Sequence, residues 1–162
     1  AVVLVTECGA ALQSTRKLET IARFIAAIIS QKHYSQQVLD DKVSSKLFDE
    51  YFKTLDPNKM FFTEKDLARF EKYRTSLDDQ ISTGRLDFAF EVYNKYVERY
   101  EEYCKFAKEM IAKGVNFTSD ETFVIDRSKS KWPADEKEMQ DLWRKRTKNI
   151  ILTFVLMDKA AE

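Results

Sequence analysis

The stretch LDFAFEVYNKYVERYEEYCKFAKEMIAK, residues 86–113, decides the fold, because it is the longest segment with one unbroken pattern. Its apolar and aromatic residues recur every three or four positions, and charged residues such as Glu91, Lys95 and Arg99 fill the other face. Gly114 follows directly and is typical of the position just after a helix. The pattern predicts one helix of roughly 40 Å, with Arg99 on its solvent-exposed face.

Two helical patterns precede this segment. Residues 15–33 carry apolar side chains at helical spacing, and a second helix opens at Asp40-Asp41. Adjacent carboxylates point to different sides of a helix, so we interpret this pair as an N-terminal cap rather than an acid–base or metal site. Asp56-Pro57-Asn58 then ends the second helix, because proline cannot continue it.

Local signals also define two short helices. Thr63 and Asp66 have the spacing of a capping box, which predicts a helix that starts at Thr63. A further short helix is expected around residues 76–83, where Gly84 supplies the residue that follows the last turn.

The pattern changes after the long helix. Residues 115–132 have no helical period, and their β-like content could form a short strand pair near residues 115–125. An acidic start at Asp135 opens the last helix, whose inward side would hold Met139, Leu142, Trp143 and Thr147. The apolar run Ile150–Met157 fits either a buried helix or a buried strand.

Composition is consistent with one helical domain. Of the 162 residues, 44% are hydrophobic and 13% aromatic, while only 3 are glycine and 2 are proline. So few turn formers argue against a β-sandwich or a glycine-looped nucleotide fold. We therefore predict a mainly α fold: an irregular multi-helix bundle of about five helices with one long central helix. Residues 15–162 form this domain, and residues 1–14 are interpreted as disordered or as a signal-peptide remnant.

Charge and hydropathy exclude several partner classes. The 27 basic and 27 acidic residues give a net charge of zero, which argues against nucleic acid or anionic membranes as the main partner. The basic cluster Arg144–Lys148 follows acidic residues directly, a pattern typical of helix-dipole complementation and intrahelical pairs. No apolar run reaches the length of a membrane span.

The sequence offers little catalytic chemistry. His33 is the single histidine, and Cys8 and Cys104 are the only cysteines, so neither a multi-histidine metal site nor a disulfide framework is indicated. Serine and lysine alternate over residues 128–131, but a solvated cationic loop does not provide the deprotonated lysine of a Ser-Lys dyad. We predict no catalytic residue, no metal ligand and no cofactor.

Two sets of residues carry a recognisable signature. The first set is His33-Tyr34, Leu39-Asp40-Asp41, Ser45-Lys46-Leu47-Phe48-Asp49, Tyr51 and Leu55-Asp56. The second set is Leu86-Asp87, Tyr93, Tyr96, Phe117-Thr118, Asp126-Arg127-Ser128-Lys129, Trp132-Pro133 and Leu142-Trp143. In this order and spacing, over roughly residues 15–150, the chain resembles the N-terminal helical domain of the tail-specific proteases. These are bacterial carboxyl-terminal processing peptidases of the Ser-Lys class.

The resemblance implies a role without catalysis. Such proteases are exported to the periplasm, and a PDZ domain and a Ser-Lys protease domain follow the helical domain. The expected partners are therefore these downstream domains, an adaptor protein and the protein substrates of the parent enzyme. The alternative is a stand-alone helical protein-binding or adaptor module, and an enzyme in its own right has little support.

Four residues are candidate protein contacts on this hypothesis: Arg127, Lys129, Trp132 and Trp143. Family members continue from the last helix into the PDZ domain, whereas this sequence stops shortly after the apolar run. We expect residues 150–157 either to fold back on the helices or to pack on domains outside this sequence.

Overall fold

A computed structural model describes residues 11–32 and 39–161. Most of the predicted N-terminal remnant, including Cys8, and also His33 lie outside these ranges. The described residues form seven helical elements and no strand. They are α1 (Arg16–Lys32), α2 (Asp41–Leu55), α3 (Glu64–Phe70), a 3₁₀ turn (Glu71–Tyr73), α4 (Leu77–Thr83), α5 (Asp87–Lys113) and α6 (Glu136–Ala161). The mainly α multi-helix fold is confirmed, but there are six α-helices rather than about five, and α6 nearly equals α5 in length.

The predicted helix ends are present. The Asp40 carboxylate accepts hydrogen bonds from the backbone N–H groups of Lys42 and Val43, at 3.1 and 3.0 Å. Thr63 and Asp66 exchange both bonds of a capping box, at 3.0 and 3.2 Å. These contacts satisfy N–H groups that have no partner inside the helix, so the chain enters α2 and α3 at fixed positions.

An aromatic core joins α2, α5 and the linker before α3. Phe52 lies at its centre, with ring centroids 5.1 Å from Phe48, 5.0 Å from Phe62 and 6.1 Å from Phe88. All four side chains are buried. Offset and edge-on aromatic pairs add about 0.5–1.5 kcal/mol each beyond the area they bury. Phe70 of α3 and Leu77 of α4 belong to the same cluster, which therefore fixes these short helices against α5.

A second cluster attaches α6 to the rest of the core. Met60, Phe61, Met139 and Trp143 are buried together. The Trp143 indole Nε1–H donates to the Met60 carbonyl oxygen at 2.7 Å, so the polar atom of this buried ring is satisfied. The first half of α6 is thereby held in place.

α1 approaches α4 through small residues. Ala22 and Ala26 are buried in this contact, and Gly84 ends α4 with φ of 79°. A Cβ atom at Gly84 would lie 2.7 Å from the Glu19 carbonyl oxygen of α1. Glycine is therefore required here both by the left-handed backbone and by the close approach.

The strand pair expected near residues 115–125 does not form. This segment lies against α6 as irregular chain: Phe123 contacts the second core cluster and Glu121 pairs with α6. β-like composition is insufficient here, because the segment's main long-range contacts are with α6 and the second core cluster and not with a partner strand. Residues 150–157 are helical and continue α6.

Candidate interaction surfaces

About two turns of α6, just before its last turn, form an apolar surface that no other described part of the chain covers. We call it the α6 end and define it as residues 150–157. Phe154 is 68% exposed and Met157 is 65% exposed, and Ile150, Leu152 and Leu156 are exposed as well. These side chains point in several directions around the helix axis, so apolar residues cover most faces of the helix here and are not confined to one face.

A second apolar surface lies on α1. Leu18, Ile21, Phe24, Ile25 and Ile28 are all exposed, and they share one side of the helix at helical spacing. Among the α1 side chains that the structure describes, the buried ones are Ala22 and Ala26, on the neighbouring edge of the helix that packs against α4. Contiguous apolar surfaces of this kind mark protein-interaction sites in soluble proteins.

An ionic cluster fastens the irregular segment to α6. Arg144 donates to both oxygens of Glu121, at 2.9 and 2.5 Å, and Lys148 donates to the same carboxylate at 2.6 Å. Lys148 also donates to the Ser119 hydroxyl at 2.8 Å. The Arg144 and Lys148 hydrogen bonds hold the pKa of Glu121 far below its usual range. The cluster therefore stays ionised over the physiological pH range and fixes the segment beside the start of the α6 end.

The basic stretch of α6 also makes the intrahelical pairs that its sequence predicts. Asp141 pairs with Arg144 at 2.8 Å and with Lys145 at 2.9 Å. Arg146 lies instead over the rings of Phe61 and Tyr103, at 5.6 and 5.3 Å from their centroids. These cations are therefore engaged within the domain.

The four predicted contact residues occupy different environments. Arg127 and Trp132 are half-buried, Lys129 is exposed, and Trp143 is only 2% exposed and belongs to the core. The Trp132 ring packs edge-on against Phe52, with centroids 6.4 Å apart. The structure brings Arg127, Lys129 and Trp132 together in one loop and places Trp143 away from the surface, and their role as protein contacts stays a prediction.

Sequence reasoning missed the burial of Arg99. This side chain is 7% exposed, and its guanidinium contacts Glu136 at 2.8 Å, Glu102 at 2.9 Å and Asp66 at 3.6 Å. Burial lowers the pKa of Arg99, but the hydrogen bonds to Glu136 and Glu102 outweigh that effect and raise it. Arg99 thus joins α5 to the beginnings of α3 and α6 as a permanently charged group.

Asp56 helps to end α2, as its sequence pattern predicts, but the hydrogen bonds of its carboxylate were not predicted. Asp56 is buried and accepts three backbone hydrogen bonds, from Met60 at 2.8 Å, Phe61 at 2.7 Å and Phe62 at 3.2 Å. These three residues belong to the two aromatic clusters. One carboxylate therefore sets the path of the linker that joins both halves of the core.

The described residues offer no metal centre and no membrane span. Within them, no group of three or more His, Cys, Asp or Glu side chains is arranged to hold a metal ion. None of the helices in the same ranges combines the length and the apolar content that crossing a bilayer needs. Cys104 is half-buried on α5.

Comparison with known proteins agrees with the resemblance. The family described as the tail specific protease N-terminal domain matches residues 25–162. A tail-specific protease of Haemophilus influenzae is 36% identical over 132 residues, which are 81% of this chain and 19% of that protein. The chain thus spans about a fifth of the length of this curated relative. Because the family match covers most of the chain, this chain belongs to the family of tail-specific protease N-terminal domains.

Proposed function

We propose that this chain is the scaffold and interaction domain of a tail-specific protease and takes no part in peptide-bond cleavage. The parent enzyme is then an exported, periplasmic serine protease of the Ser-Lys class, whose PDZ and protease domains follow this domain. Membership of the family supports the proposal, and so does the short share of the relative that the chain covers.

The observation that carries the interaction role is the α6 end. A protein rarely exposes a helix surface that is apolar on most faces, because burying each side chain of this size gains about 1.5–3 kcal/mol of free energy. Phe154, Leu156 and Met157 are therefore suited to burial against another folded unit. We assign that unit to a part of the parent outside this chain, because the matched residues make up only 19% of the relative's length.

Substitution in the full-length parent tests this assignment. Phe154→Glu places a charge on the α6 end and should loosen its contact with the next domain. The expected results are a lower unfolding temperature of the parent and faster cleavage after the helix by subtilisin, a protease of broad specificity that does not need Lys159. Lys159→Glu is the matched control, because Lys159 lies at the same helix end and carries a charge already. Equal behaviour of both variants would contradict the assignment.

A second experiment tests the absence of catalysis. The 162-residue chain and the full-length parent are incubated with a protein substrate that ends in apolar residues. Cleavage by the parent alone supports the proposal, whereas cleavage by the purified chain contradicts it. If the reading frame stops directly after Glu162, the stand-alone helical binding or adaptor module becomes the better interpretation.

A further inference from the structure

One side chain of α5 binds the backbone of the segment that precedes α1. The Asn94 Nδ2 atom donates to the Leu12 carbonyl oxygen at 2.9 Å, and its Oδ1 atom accepts from the Leu12 N–H at 2.9 Å. Both polar backbone groups of one residue point to the same side only when that residue is extended. Asn94 therefore recognises extended backbone, and this recognition does not depend on the side chain that the backbone carries.

The surroundings of this contact have the form of a peptide-binding site. The Leu12 side chain borders an apolar hollow lined by Tyr51, Ala89, Phe90 and Tyr93. Backbone hydrogen bonds next to an apolar side-chain pocket are the combination by which proteins bind extended peptides.

A larger cleft between α3 and α5 continues from the same point. It has a volume of about 830 Å³, is bordered by Ala11 and Leu12, and extends along Phe70 and Val97. This volume lies within the usual range of ligand sites. The segment occupies only one end of the cleft, so there is room for a longer extended chain.

The charges of the cleft do not demand a charged ligand. Lys95 pairs with Glu98 at 3.1 Å, and Lys72 lies 4.0 Å from Glu91. These two cations have carboxylate partners, and the third cation that lines the cleft, Arg69, is exposed to water, so an anionic ligand gains little here. The cleft is therefore expected to select its ligand by two features: hydrogen bonds from Asn94 to extended backbone, and one apolar side chain in the neighbouring hollow.

We propose that the cleft between α3 and α5 is a binding site for extended polypeptide with an apolar residue beside Asn94. The chain's own Ala11–Leu12 segment acts as an internal ligand at one end. This segment is held lightly, because Leu12 is 54% exposed and its two backbone bonds go to a single side chain. The inference goes beyond the proposed function and does not depend on it, since it assigns a polypeptide ligand to this domain whatever follows it.

A labelled peptide tests the site in the intact 162-residue chain. The probe is fluorescein-tagged Gly-Ala-Ala-Leu-Gln-Ser-Thr, the sequence of residues 9–15. Leu12→Pro removes the N–H that Asn94 accepts from and thereby releases the internal ligand. The peptide should bind this variant at least about fivefold more tightly than the unmodified chain, as measured by fluorescence anisotropy, because a tethered competitor is lost.

Two changes then ask whether Asn94 recognises the backbone. Adding Asn94→Ala to the Leu12→Pro variant, or N-methylating the leucine of the probe, should each weaken binding by about tenfold. Asn149→Ala is the matched control, because Asn149 lies on α6 away from the cleft, and it should change nothing. Equal binding with and without Asn94, or no binding at millimolar peptide, would overturn the proposal.

Hydrogen exchange of the Leu12 amide gives a second readout that needs no added peptide. In the unmodified chain this amide should exchange more slowly than in Asn94→Ala, while the melting curves of the two proteins agree in shape. An unprotected Leu12 amide in the unmodified chain would also overturn the proposal, because the internal ligand would then be absent.

Discussion

Replacing Asp56 by alanine should be among the most destabilising single changes in this domain. The carboxylate is 2% exposed and accepts from the N–H groups of Met60, Phe61 and Phe62. Alanine would leave all three donors without their acceptor inside the core. Each buried donor that loses its partner costs about 1–3 kcal/mol, and water entering the new space offsets part of the sum. We therefore expect a loss of about 3–5 kcal/mol, a large share of a typical domain's stability.

Asp56→Asn separates hydrogen bonding from charge. The amide keeps one acceptor oxygen but turns an NH₂ group towards a backbone N–H, so we expect about half the loss. Burial raises the pKa of Asp56, although the backbone hydrogen bonds and Arg146 oppose that rise. Because the folded-state pKa is raised, the stability that Asp56 contributes is largest in acid and falls as the pH rises through the folded pKa. The difference in free energy of unfolding between the unmodified chain and Asp56→Asn should accordingly become smaller as the pH rises from acid to neutral.

Urea unfolding followed by tryptophan fluorescence provides the assay. Both tryptophans report on the perturbed linker, because the Trp143 indole donates to the Met60 carbonyl oxygen and the Trp132 ring lies 6.1 Å from the Phe62 ring. Far-ultraviolet circular dichroism of the same samples checks that unfolding is two-state. Asp120→Ala, at an exposed loop position, is the control and should stay within about 0.5 kcal/mol of the unmodified chain. A loss below about 1 kcal/mol for Asp56→Ala would refute the reasoning, since the three donors would then have other partners.

Three further predictions concern other contacts. Arg99→Ala should lower the free energy of unfolding by about 3 kcal/mol, measured by urea unfolding, because the buried Asp66 carboxylate loses its cation. Lys113→Ala removes an exposed pair on the same helix and should lower the free energy of unfolding by less than about 0.5 kcal/mol. Gly84→Ala should lower stability by about 2 kcal/mol, because its Cβ meets the Glu19 carbonyl oxygen; an unchanged melting temperature would contradict this. Glu121 has a lowered pKa, so its stabilising effect is present above the usual glutamate range and disappears as the pH falls through the folded pKa. Acid should therefore speed hydrogen exchange in the segment between α5 and α6, and Glu121→Gln should show the fast exchange at neutral pH as well.

The helix boundaries were predictable from sequence because the interactions that set them are local. Asp40 and the Thr63–Asp66 pair each act within three residues of the backbone groups they satisfy. Gly84 is required by the φ angle at its own position. Signals of this range are visible in any short window of the chain.

The remaining features depend on contacts between distant parts of the chain. Arg99 stands among charged residues on its helix, and its burial follows only from the arrival of Asp66 and Glu136, 33 and 37 positions away. The Asn94 contact joins residues 82 positions apart. The environment of residues 150–157 could not be predicted either, because a run that is apolar at every position except Thr153 has no period that would indicate which side is covered.

One consequence of α6 concerns angle rather than affinity. Its last buried residue is Thr147, yet the helix continues without a break to Ala161, about 20 Å farther along the axis. The core therefore sets the direction and the rotational phase of everything that this helix carries. Inserting one residue after Thr147 would turn the outer half by about 100°, whereas seven residues would restore its phase to within about 20° and lengthen it by about 10 Å. The buried Trp143 fixes the rotation of α6 about its axis, and because the helix is continuous this rotation also determines which way Phe154 and Met157 face.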